Sequence, residues 1–221
     1  MNTSCKENLR TIIKLRAKPL VVSAGMPRSG STLLFNIIRE ILKVEFGSKL
    51  ASAWEADVQD LESGEAFLIK THRVSRLLRF RAQHIFYSYR DVRVAAVSAM
   101  RRFEIPISLE WMRAEVEEYR KAKEVSRLIF QYEVLRNDPL LIVNQISRSL
   151  DIQVDAEEIV SSALCLHPPT SSGYSKISLL HNDHMTHTED EEWREVFPAV
   201  LVEQVNNELS WWFRECGYPL N

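Results

Sequence analysis

The most constraining feature of the sequence is a glycine-containing loop, residues 25–34 (GMPRSGSTLL), that lies between two different hydrophobic periodicities. Before the loop, residues 18–25 (KPLVVSAG) are a short apolar run bounded by proline and glycine, which predicts a buried strand. After it, apolar residues recur at helical spacing from Leu34 to Leu42, which predicts a helix. Residues 20–46 are therefore expected to fold as strand, loop and helix, the context in which such a loop binds a phosphate.

The loop has the chemistry of an anion cradle but lacks the lysine of nucleotide-hydrolysing P-loops. Gly25 and Gly30 allow backbone N–H groups to close around an anion, and the helix N-terminus adds about half a positive charge. Ser31 and Thr32 supply hydroxyl donors, and Arg28 supplies the cation. Ser31 stands where a P-loop carries lysine, which disfavours triphosphate chemistry. A tight strand-to-helix turn capped by a serine remains an open alternative.

Strands alternate with helices along the rest of the chain. Apolar runs predict further strands at residues 66–71, 84–90 and 128–132. Helical patterns are present in residues 73–83, 91–103, 108–127, 139–150, 155–166 and 190–216. Asp91 and Pro139 are residues suited to begin helices, whereas residues 47–64 are expected to be irregular and residues 167–188 to form a long loop. The alternation predicts an α/β fold, a mainly parallel β-sheet flanked by helices, in a single domain spanning residues 1–221.

Polar and charged residues gather where the predicted strands end. The carboxyl ends of parallel strands meet at one edge of a sheet, and ligands bind beyond that edge. Four segments occupy these positions: Gly25–Thr32, Lys70–His72, Arg90–Asp91 and Tyr132–Glu133. Lys70 and His72 are two residues apart, so an extended backbone points both side chains to one side. The sequence therefore predicts a site at this edge.

The charge distribution favours a local anion site over a general polyanion-binding surface. The formal net charge is −2, from 28 basic and 30 acidic residues, which argues against a nucleic-acid or anionic-membrane partner. Arginines nevertheless crowd into one stretch, at Arg73, Arg76, Arg79, Arg81, Arg90, Arg93, Arg101 and Arg102. This layout is typical of a protein that is near-neutral overall and binds one anion.

The cysteines, a histidine run and an aromatic run predict neither a metal site nor a membrane segment. Cys5, Cys165 and Cys216 have no metal-ligand spacing, which predicts reduced thiols in a cytoplasmic protein. For residues 181–187 (HNDHMTH), a zinc site would need helical spacing or a fourth ligand from elsewhere, so a flexible lid with polar residues is favoured. Residues 211–213 (WWF) are expected on a core helix with one exposed ring, or alternatively at a partner surface. The polar N-terminal segment predicts no signal peptide, and no apolar run approaches the roughly 20 residues of a membrane span.

Several motifs occur in an order that resembles one enzyme family. The loop PRSGST, the strand end IKTH and the segment YRDVRVAAVS are similar to sulfotransferases that use 3′-phosphoadenosine 5′-phosphosulfate (PAPS). The similarity continues in FQYEVLRNDPLLIVNQISRSLDI and in EWREVF…FRECGY, and spans residues 20–218. The resemblance implies a P-loop sulfotransferase-like fold, PAPS as the donor and no metal.

The resemblance also implies which residues bind the donor. The 5′-phosphosulfate is assigned to the loop residues Arg28, Ser29, Gly30, Ser31 and Thr32. Arg90 and Ser98 match the pair that binds the 3′-phosphate, for which bidentate arginine is suited, and Tyr132 matches a tyrosine near the adenine. An ion pair of Arg90 with Asp91 or Glu133 remains open, as do packing roles for Ser98 and Tyr132.

For catalysis, the resemblance implies that His72 is the general base. Histidine titrates near neutral pH, which suits that role. Lys70 and Arg28 are expected to stabilise charge on the transferring sulfuryl group and the leaving phosphate. A solvent-facing or helix-capping histidine remains the alternative, and Glu55 or Asp57 is then the candidate base.

The sequence departs from the family at two positions around the nucleotide. Leu33 stands where cytosolic members carry a tryptophan that stacks on adenine. Residues 186–188 (THT) stand where those members carry an RKG clamp for the 3′-phosphate. His184, His187 and Arg194 are the candidates to replace that clamp.

The resulting hypothesis is transfer of a sulfuryl group from PAPS to a hydroxyl (or amine) of a small-molecule acceptor. The acceptor is expected to meet residues 47–64, 104–115 and 167–188, which carry no recognisable code. A nucleotide kinase or NTPase with an atypical P-loop predicts magnesium-dependent binding of ATP or GTP. A catalytically silent nucleotide-binding module predicts donor binding without turnover. Ser31 disfavours the first alternative, and the Lys70–His72 pair disfavours the second.

Overall fold

The computed structural model describes residues 18–61, 64–167, 173–181 and 191–220. The strands are β1 (Leu20–Gly25), β2 (Leu50–Trp54), β3 (Ala66–Thr71), β4 (His84–Tyr89) and β5 (Leu128–Gln131). The α-helices are α1 (Ser31–Phe46), α2 (Arg76–Arg81), α3 (Val92–Phe103), α4 (Leu109–Lys123), α5 (Tyr132–Asn137), α6 (Pro139–Leu150), α7 (Ala156–Leu164), α8 (Trp193–Val196) and α9 (Ala199–Cys216). Short 3₁₀ helices span Gly47–Lys49 and Glu55–Asp60.

The five strands form one parallel sheet in the order β2-β3-β1-β4-β5. Strand β1 is central, with β3 on one side and β4 on the other. In the register, Ser23 is opposite Lys70 and Gly25 is opposite Ser88. The carboxyl ends of these strands therefore meet beside the loop that follows β1. The predicted α/β fold with a parallel sheet is confirmed.

Helices cover both faces of the sheet, as a parallel sheet requires. Along β1, Leu20, Val22 and Ala24 belong to a core with α3, α4 and α9. Val21 points the other way, into a core with α1, α6 and α7, because successive strand side chains alternate between faces. All six residues of β1 are buried, which explains why its sequence is a continuous apolar run.

Most of the predicted elements are present, but the segment 47–64 differs from its prediction. Asp91 caps α3 by accepting a hydrogen bond from the Arg93 N–H at 2.9 Å, and Pro139 begins α6. The segment 47–64 was expected to be irregular, but it contains edge strand β2 and two 3₁₀ helices. LASAW has little strand propensity of its own, and its strand conformation comes from pairing with β3.

The aromatic run at the end of α9 is mainly core, as predicted. Trp212 and Phe213 are fully buried, whereas Trp211 is 43% exposed. Helix α9 packs against α4. The Trp211 ring is thus partly exposed to solvent, and the Trp212 and Phe213 rings pack in the hydrophobic core.

Arg93 is a fully buried cation that joins the start of α3 to the last residues of the chain. Its guanidinium forms an ion pair with Asp91 at 2.6 Å and donates to the Pro219 carbonyl oxygen at 2.7 Å. The Trp193 and Phe213 ring centroids lie 4.1 and 4.2 Å from the guanidinium carbon. The turn that follows β4 is therefore held by the contacts of Arg93 with two aromatic rings and with the Asp91 carboxylate.

Candidate anion-binding site

The loop after β1 leaves the start of helix α1 accessible to a ligand. Gly30 precedes the helix with φ of 71°, a conformation that favours glycine. Within the described residues, no side chain caps the first turn of α1 and no acidic residue lies in it. A Cβ on Gly30 would lie 2.9 Å from Cδ2 of Tyr132, so the loop backbone packs directly against that ring. The uncapped N–H groups of α1 are thus available to an anion.

Ser29 fixes the loop to strand β4. Its hydroxyl oxygen lies 2.7 Å from the Met26 carbonyl oxygen and 2.8 Å from Oγ of Ser88, and its side chain is fully buried. Gly25 is required at the same contact, because a Cβ there would lie 2.3 Å from Oγ of Ser88. The Ser29 hydroxyl therefore supports the loop from below, and a contact between Ser29 and the donor stays a prediction.

Arg28 directs its side chain from the loop to helix α3. Its backbone is left-handed, with φ of 67°, which is uncommon for a residue other than glycine and typical of functional loops. Nε of Arg28 donates a hydrogen bond to Oγ of Ser98 at 2.9 Å. Ser98 is buried on α3. The structure thus brings together two residues that are 70 positions apart in the chain.

Lys70 is a buried cation at the end of β3, with 5% of its surface exposed. Its ammonium donates to Oγ1 of Thr32 at 2.5 Å and lies 5.6 Å from the Trp54 ring centroid. Burial, followed by the charge of Arg28, lowers the Lys70 pKa to about 7. A bound anion would reverse that shift, since an opposite charge favours the ammonium form.

His72 follows β3 and is oriented by a backbone carbonyl. Its Nδ1 lies 2.7 Å from the Gly25 carbonyl oxygen. A carbonyl oxygen only accepts hydrogen bonds, so Nδ1 carries the hydrogen and Nε2 keeps its lone pair. Burial and then the charge of Lys70 lower the His72 pKa to about 4. The imidazole is therefore neutral at pH 7, the state that a general base requires.

The charges of two other arginines act on Arg28. Burial lowers the Arg28 pKa, and the charges of Arg102 and then Arg90 lower it further. Arg90 is buried, and its guanidinium lies 4.2 Å from the Tyr132 ring centroid. An anion bound beside Arg28 would favour its charged form.

The structure brings the predicted site residues to one edge of the sheet. The loop residues 28–32 lie after β1, Lys70 and His72 at the end of β3, and Arg90 after β4. The sequence predicts Tyr132 as the last residue of a strand, and this prediction is wrong. Tyr132 is the first residue of helix α5. Its ring nevertheless packs on the loop at Gly30.

One residue at this edge was missed by sequence analysis. Trp54 ends β2, and its ring centroid lies 5.0 Å from that of His72. Arg102 was named only as part of the arginine-rich stretch, without a role, and it lies on α3 one helical turn after Ser98. Trp54 carried no signal because β2 itself was not predicted.

Glu55, the alternative base, and Arg194, a candidate clamp residue, contact side chains that were not predicted as site residues. Glu55 accepts a hydrogen bond from the Thr71 hydroxyl, and burial raises its pKa. Arg194 lies with its guanidinium 4.6 Å from the Trp193 ring centroid. His184 and residues 186–188 lie outside the described residues, so their roles stay predictions, as does the lid assigned to residues 181–187.

The described residues contain neither a metal-ligand cluster nor a helix that could span a membrane. No group of three or more His, Cys, Asp or Glu side chains in residues 18–61, 64–167, 173–181 and 191–220 is placed to hold a metal ion. Over the same ranges, no helix combines the length and the apolar character needed to cross a bilayer.

Comparisons with known proteins identify the fold. No protein-family model and no curated protein sequence match the chain. Among solved structures, mouse sulfotransferase SULT7A1 complexed with PAP aligns with a TM-score of 0.70 and 16% identity, over 96% of this chain and 90% of that chain.

Two further structures are similar over most of their length. Retinol dehydratase in complex with androsterone and inactive cofactor PAP aligns with a TM-score of 0.56 and 14% identity, over 91% of this chain and 84% of that chain. Retinol dehydratase with retinol and PAP aligns with a TM-score of 0.54 and 13% identity, over 90% and 84%. The predicted sulfotransferase-like fold is therefore confirmed.

Proposed function

We propose that the protein is a PAPS-dependent sulfotransferase that transfers a sulfuryl group to a hydroxyl (or amine) of a small molecule. The observation that carries the proposal is the meeting of a buried cation, Lys70, and a neutral imidazole, His72, beside an uncapped helix start. These are the parts that sulfuryl transfer needs: a charge for the leaving group, a base for the acceptor and a cradle for the donor. The fold that carries them is shared with structures solved with PAP.

The residues present suit a nucleotide with two separate anionic ends. The N–H groups at the start of α1, together with Arg28 and Lys70, are proposed to hold the 5′-phosphosulfate. Arg90 and Ser98 are proposed to hold the 3′-phosphate. The Tyr132 ring contacts both proposed sets of residues, because it packs against the loop at Gly30 and against the Arg90 guanidinium. The adenine is assigned to the vicinity of Tyr132.

In the proposed reaction, Nε2 of His72 accepts the proton of the acceptor hydroxyl. The acceptor oxygen attacks sulfur in line, and the bond between sulfur and the bridging phosphate oxygen breaks. The electron pair of that bond remains on the leaving 5′-phosphate, where Lys70 and Arg28 stabilise the charge. The products are the sulfated acceptor and 3′-phosphoadenosine 5′-phosphate (PAP). Before the proton is transferred, the Gly25 carbonyl accepts the Nδ1 hydrogen and so leaves the lone pair on Nε2.

Calorimetric titration tests the nucleotide part of the proposal. PAP, ADP and ATP with magnesium are titrated into the full chain, and PAP is expected to bind most tightly. Arg90→Gln is expected to weaken PAP binding at least tenfold. The matched control is Arg113→Gln, a half-exposed arginine that pairs with Glu208 on the protein surface, and it should leave the affinity unchanged. Preference for ATP with magnesium would instead support a nucleotide kinase.

Turnover is tested with sulfur-labelled PAPS and a panel of small phenols, alcohols and amines. Labelled product that depends on the protein supports a transferase. PAP binding without transfer to any member of the panel would support the catalytically silent module.

A further inference from the structure

We propose that Trp54 is a positioning residue whose indole ring orients both Lys70 and His72 at the carboxyl end of β3. The inference rests on the proposed function, because it concerns the side chains assigned there as the leaving-group cation and the base. No sequence pattern pointed to this role, since β2, the strand that Trp54 ends, was not predicted.

The first support is the register between the edge strand β2 and its neighbour β3. Trp54 is opposite Lys70 in this register. Because side chains alternate between the two faces of a sheet, paired residues of neighbouring strands point to the same face. Strand β2 ends the sheet on this side, so Trp54 covers Lys70 from the direction in which the sheet ends.

The second support is the surroundings of the Lys70 ammonium. Nζ of Lys70 donates to Oγ1 of Thr32 at 2.5 Å and lies over the Trp54 ring, 5.6 Å from its centroid. A cation within about 6 Å of an aromatic centroid is attracted to the face of the ring. Lys70 is buried, so the indole stands where water would otherwise solvate the charge. The two contacts direct the ammonium to the loop that is proposed to bind the donor.

The third support is the contact between Trp54 and His72. Their ring centroids are 5.0 Å apart and the rings are inclined at 65°, an edge-to-face geometry that aromatic pairs prefer. The Gly25 carbonyl already holds Nδ1 of the imidazole. The indole adds a second contact, which restricts rotation of the imidazole about that hydrogen bond. The direction of Nε2 is thus fixed from two sides.

The protonation of both side chains is consistent with one shared cover. Burial is the largest cause of the lowered pKa values, about 7 for Lys70 and about 4 for His72. The charge of Arg28 acts on both groups, and the charges of Lys70 and Arg73 act on His72 as well. A ring packed against both side chains keeps water from both. Loss of the indole should therefore raise both pKa values toward their ordinary range.

Leu50 separates this role from simple packing of the edge strand. Trp54 and Leu50 lie on β2, and both pack against the core that includes helix α1. Leu50 is opposite Ala66, at the end of β3 that is away from the site. Leu50→Ala therefore loosens the same strand and the same core without removing a neighbour of Lys70 or His72.

The first test uses the free protein and compares Trp54→Ala with Trp54→Phe and Leu50→Ala. NMR titration of isotope-labelled histidine and lysine side chains measures the two pKa values, and His72→Asn and Lys70→Met identify the signals. We expect Trp54→Ala to raise both pKa values by about one pH unit or more. Trp54→Phe keeps an aromatic cover and should change them much less, and Leu50→Ala should leave them unchanged. Trp54→Val, which suits an edge strand, replaces Trp54→Ala if that variant does not fold.

The second test measures transfer of labelled sulfur. Because Trp54 acts through the base and the leaving-group cation, we expect Trp54→Ala to lower kcat about 10- to 100-fold. The KM of the acceptor should stay within about threefold, because the ring is not assigned to acceptor binding. Trp54→Phe should recover most of the rate, and Leu50→Ala should retain it.

Three results would overturn the inference. These are an unchanged pKa of either side chain in Trp54→Ala, equal effects of Trp54→Ala and Leu50→Ala, and a raised acceptor KM with unchanged kcat. The last result would make Trp54 an acceptor contact instead. Failure of the unmodified protein to transfer sulfur contradicts the proposed function, and the titrations of the free protein then still decide the role of Trp54. Thermal unfolding of each variant checks that the fold is intact.

Discussion

Nδ1 of His72 lies 2.7 Å from the carbonyl oxygen of Gly25, the last residue of strand β1. The same residue begins the loop that is proposed to bind the donor. One peptide group therefore orients the His72 imidazole and precedes the loop. In the proposed reaction, the backbone of β1 thus positions the base relative to the sulfuryl group.

This contact leads to a prediction for His72→Asn. The Asn amide can donate to the Gly25 carbonyl as Nδ1 does, but it has no basic nitrogen. We expect PAP affinity within about threefold of the unmodified protein and a rate of transfer lowered by about 10²- to 10⁴-fold. Calorimetry and the labelled-sulfur assay measure the two quantities.

The control for this experiment is His84→Asn. His84 begins strand β4, at the end of the strand away from the candidate site, and this variant should retain full transfer. Full transfer by His72→Asn would remove the base assignment. Glu55→Gln is then the next variant to test, since the Glu55 carboxyl lies beside Thr71 at the end of β3.

Lys70 leads to a prediction about protons. Its pKa is lowered from 10.5 to about 7 by burial and by Arg28, so most of the protein carries a neutral amine at pH 8.5. A bound anion restores the ammonium form, and PAP binding at that pH is expected to take up protons. Calorimetry in Tris and in a buffer of lower ionisation enthalpy measures the uptake from the difference in heat.

The uptake should be greatest between the two pKa values and small at pH 6, where Lys70 is already protonated. Lys70→Met is the matched variant, and it should abolish most of the uptake and weaken binding. A binding heat that is the same in both buffers at pH 8.5 would falsify this linkage.

A third prediction concerns Glu115, a buried carboxyl on α4 that lies 3.3 Å from Nη2 of Arg73. Burial raises its pKa from 4.5 to about 7, although Arg73 opposes that shift. The folded protein thus binds more protons than the unfolded chain between these values. The contribution that the protonated Glu115 carboxyl makes to stability is complete below pH 4.5 and is lost as the pH rises to about 7.

Glu115→Gln is expected to remove this dependence and to stabilise the protein at pH 8 by about 1 to 3 kcal/mol. Urea unfolding at pH 5 and pH 8 measures both effects. Glu118→Gln is the control, since Glu118 also faces Arg73 but is less buried. Equal pH slopes in Glu115→Gln and the unmodified protein would show that another group titrates.

A fourth prediction concerns the buried Arg93. Arg93→Met leaves the Asp91 carboxylate buried without its guanidinium, which costs about 3 to 5 kcal/mol of unfolding free energy. Urea unfolding measures this loss. The double variant Arg93→Met with Asp91→Asn should recover part of it, because no buried charge is then unpaired and the amide oxygen of Asn still caps α3. An Arg93→Met variant as stable as the unmodified protein would contradict a stabilising role for the Arg93–Asp91 ion pair.

Much of the fold and site follows from local rules. The continuous apolar runs of β1, β3 and β4 predict buried parallel strands, and the strand-end rule then predicts Lys70, His72 and Arg90 as neighbours. The rule works because Lys70 lies in the last two residues of a buried strand, and His72 and Arg90 lie directly after the ends of buried strands. Asp91 and Pro139 fixed helix starts for similarly local reasons.

The missed features depend on tertiary contacts. Strand β2 forms because β3 offers it a free edge, and its own five residues do not specify a strand. Trp54 therefore had no predictable position beside His72. The effect of the Arg102 charge on the Arg28 pKa depends on how the chain folds around the loop, and the inward direction of the Ser29 hydroxyl depends on Ser88. Neither is encoded in spacing along the chain.

The strand order also has a consequence for how the protein forms during synthesis. Strand β1 is made first, but it is central, and both of its partners, β3 and β4, come later in the chain. Until they emerge from the ribosome, the apolar β1 has no strand to pair with. The Tyr132 ring arrives later still, after β5. We therefore expect slow folding, because these pairings join distant parts of the chain, and a nascent chain that needs chaperones until β5 is complete.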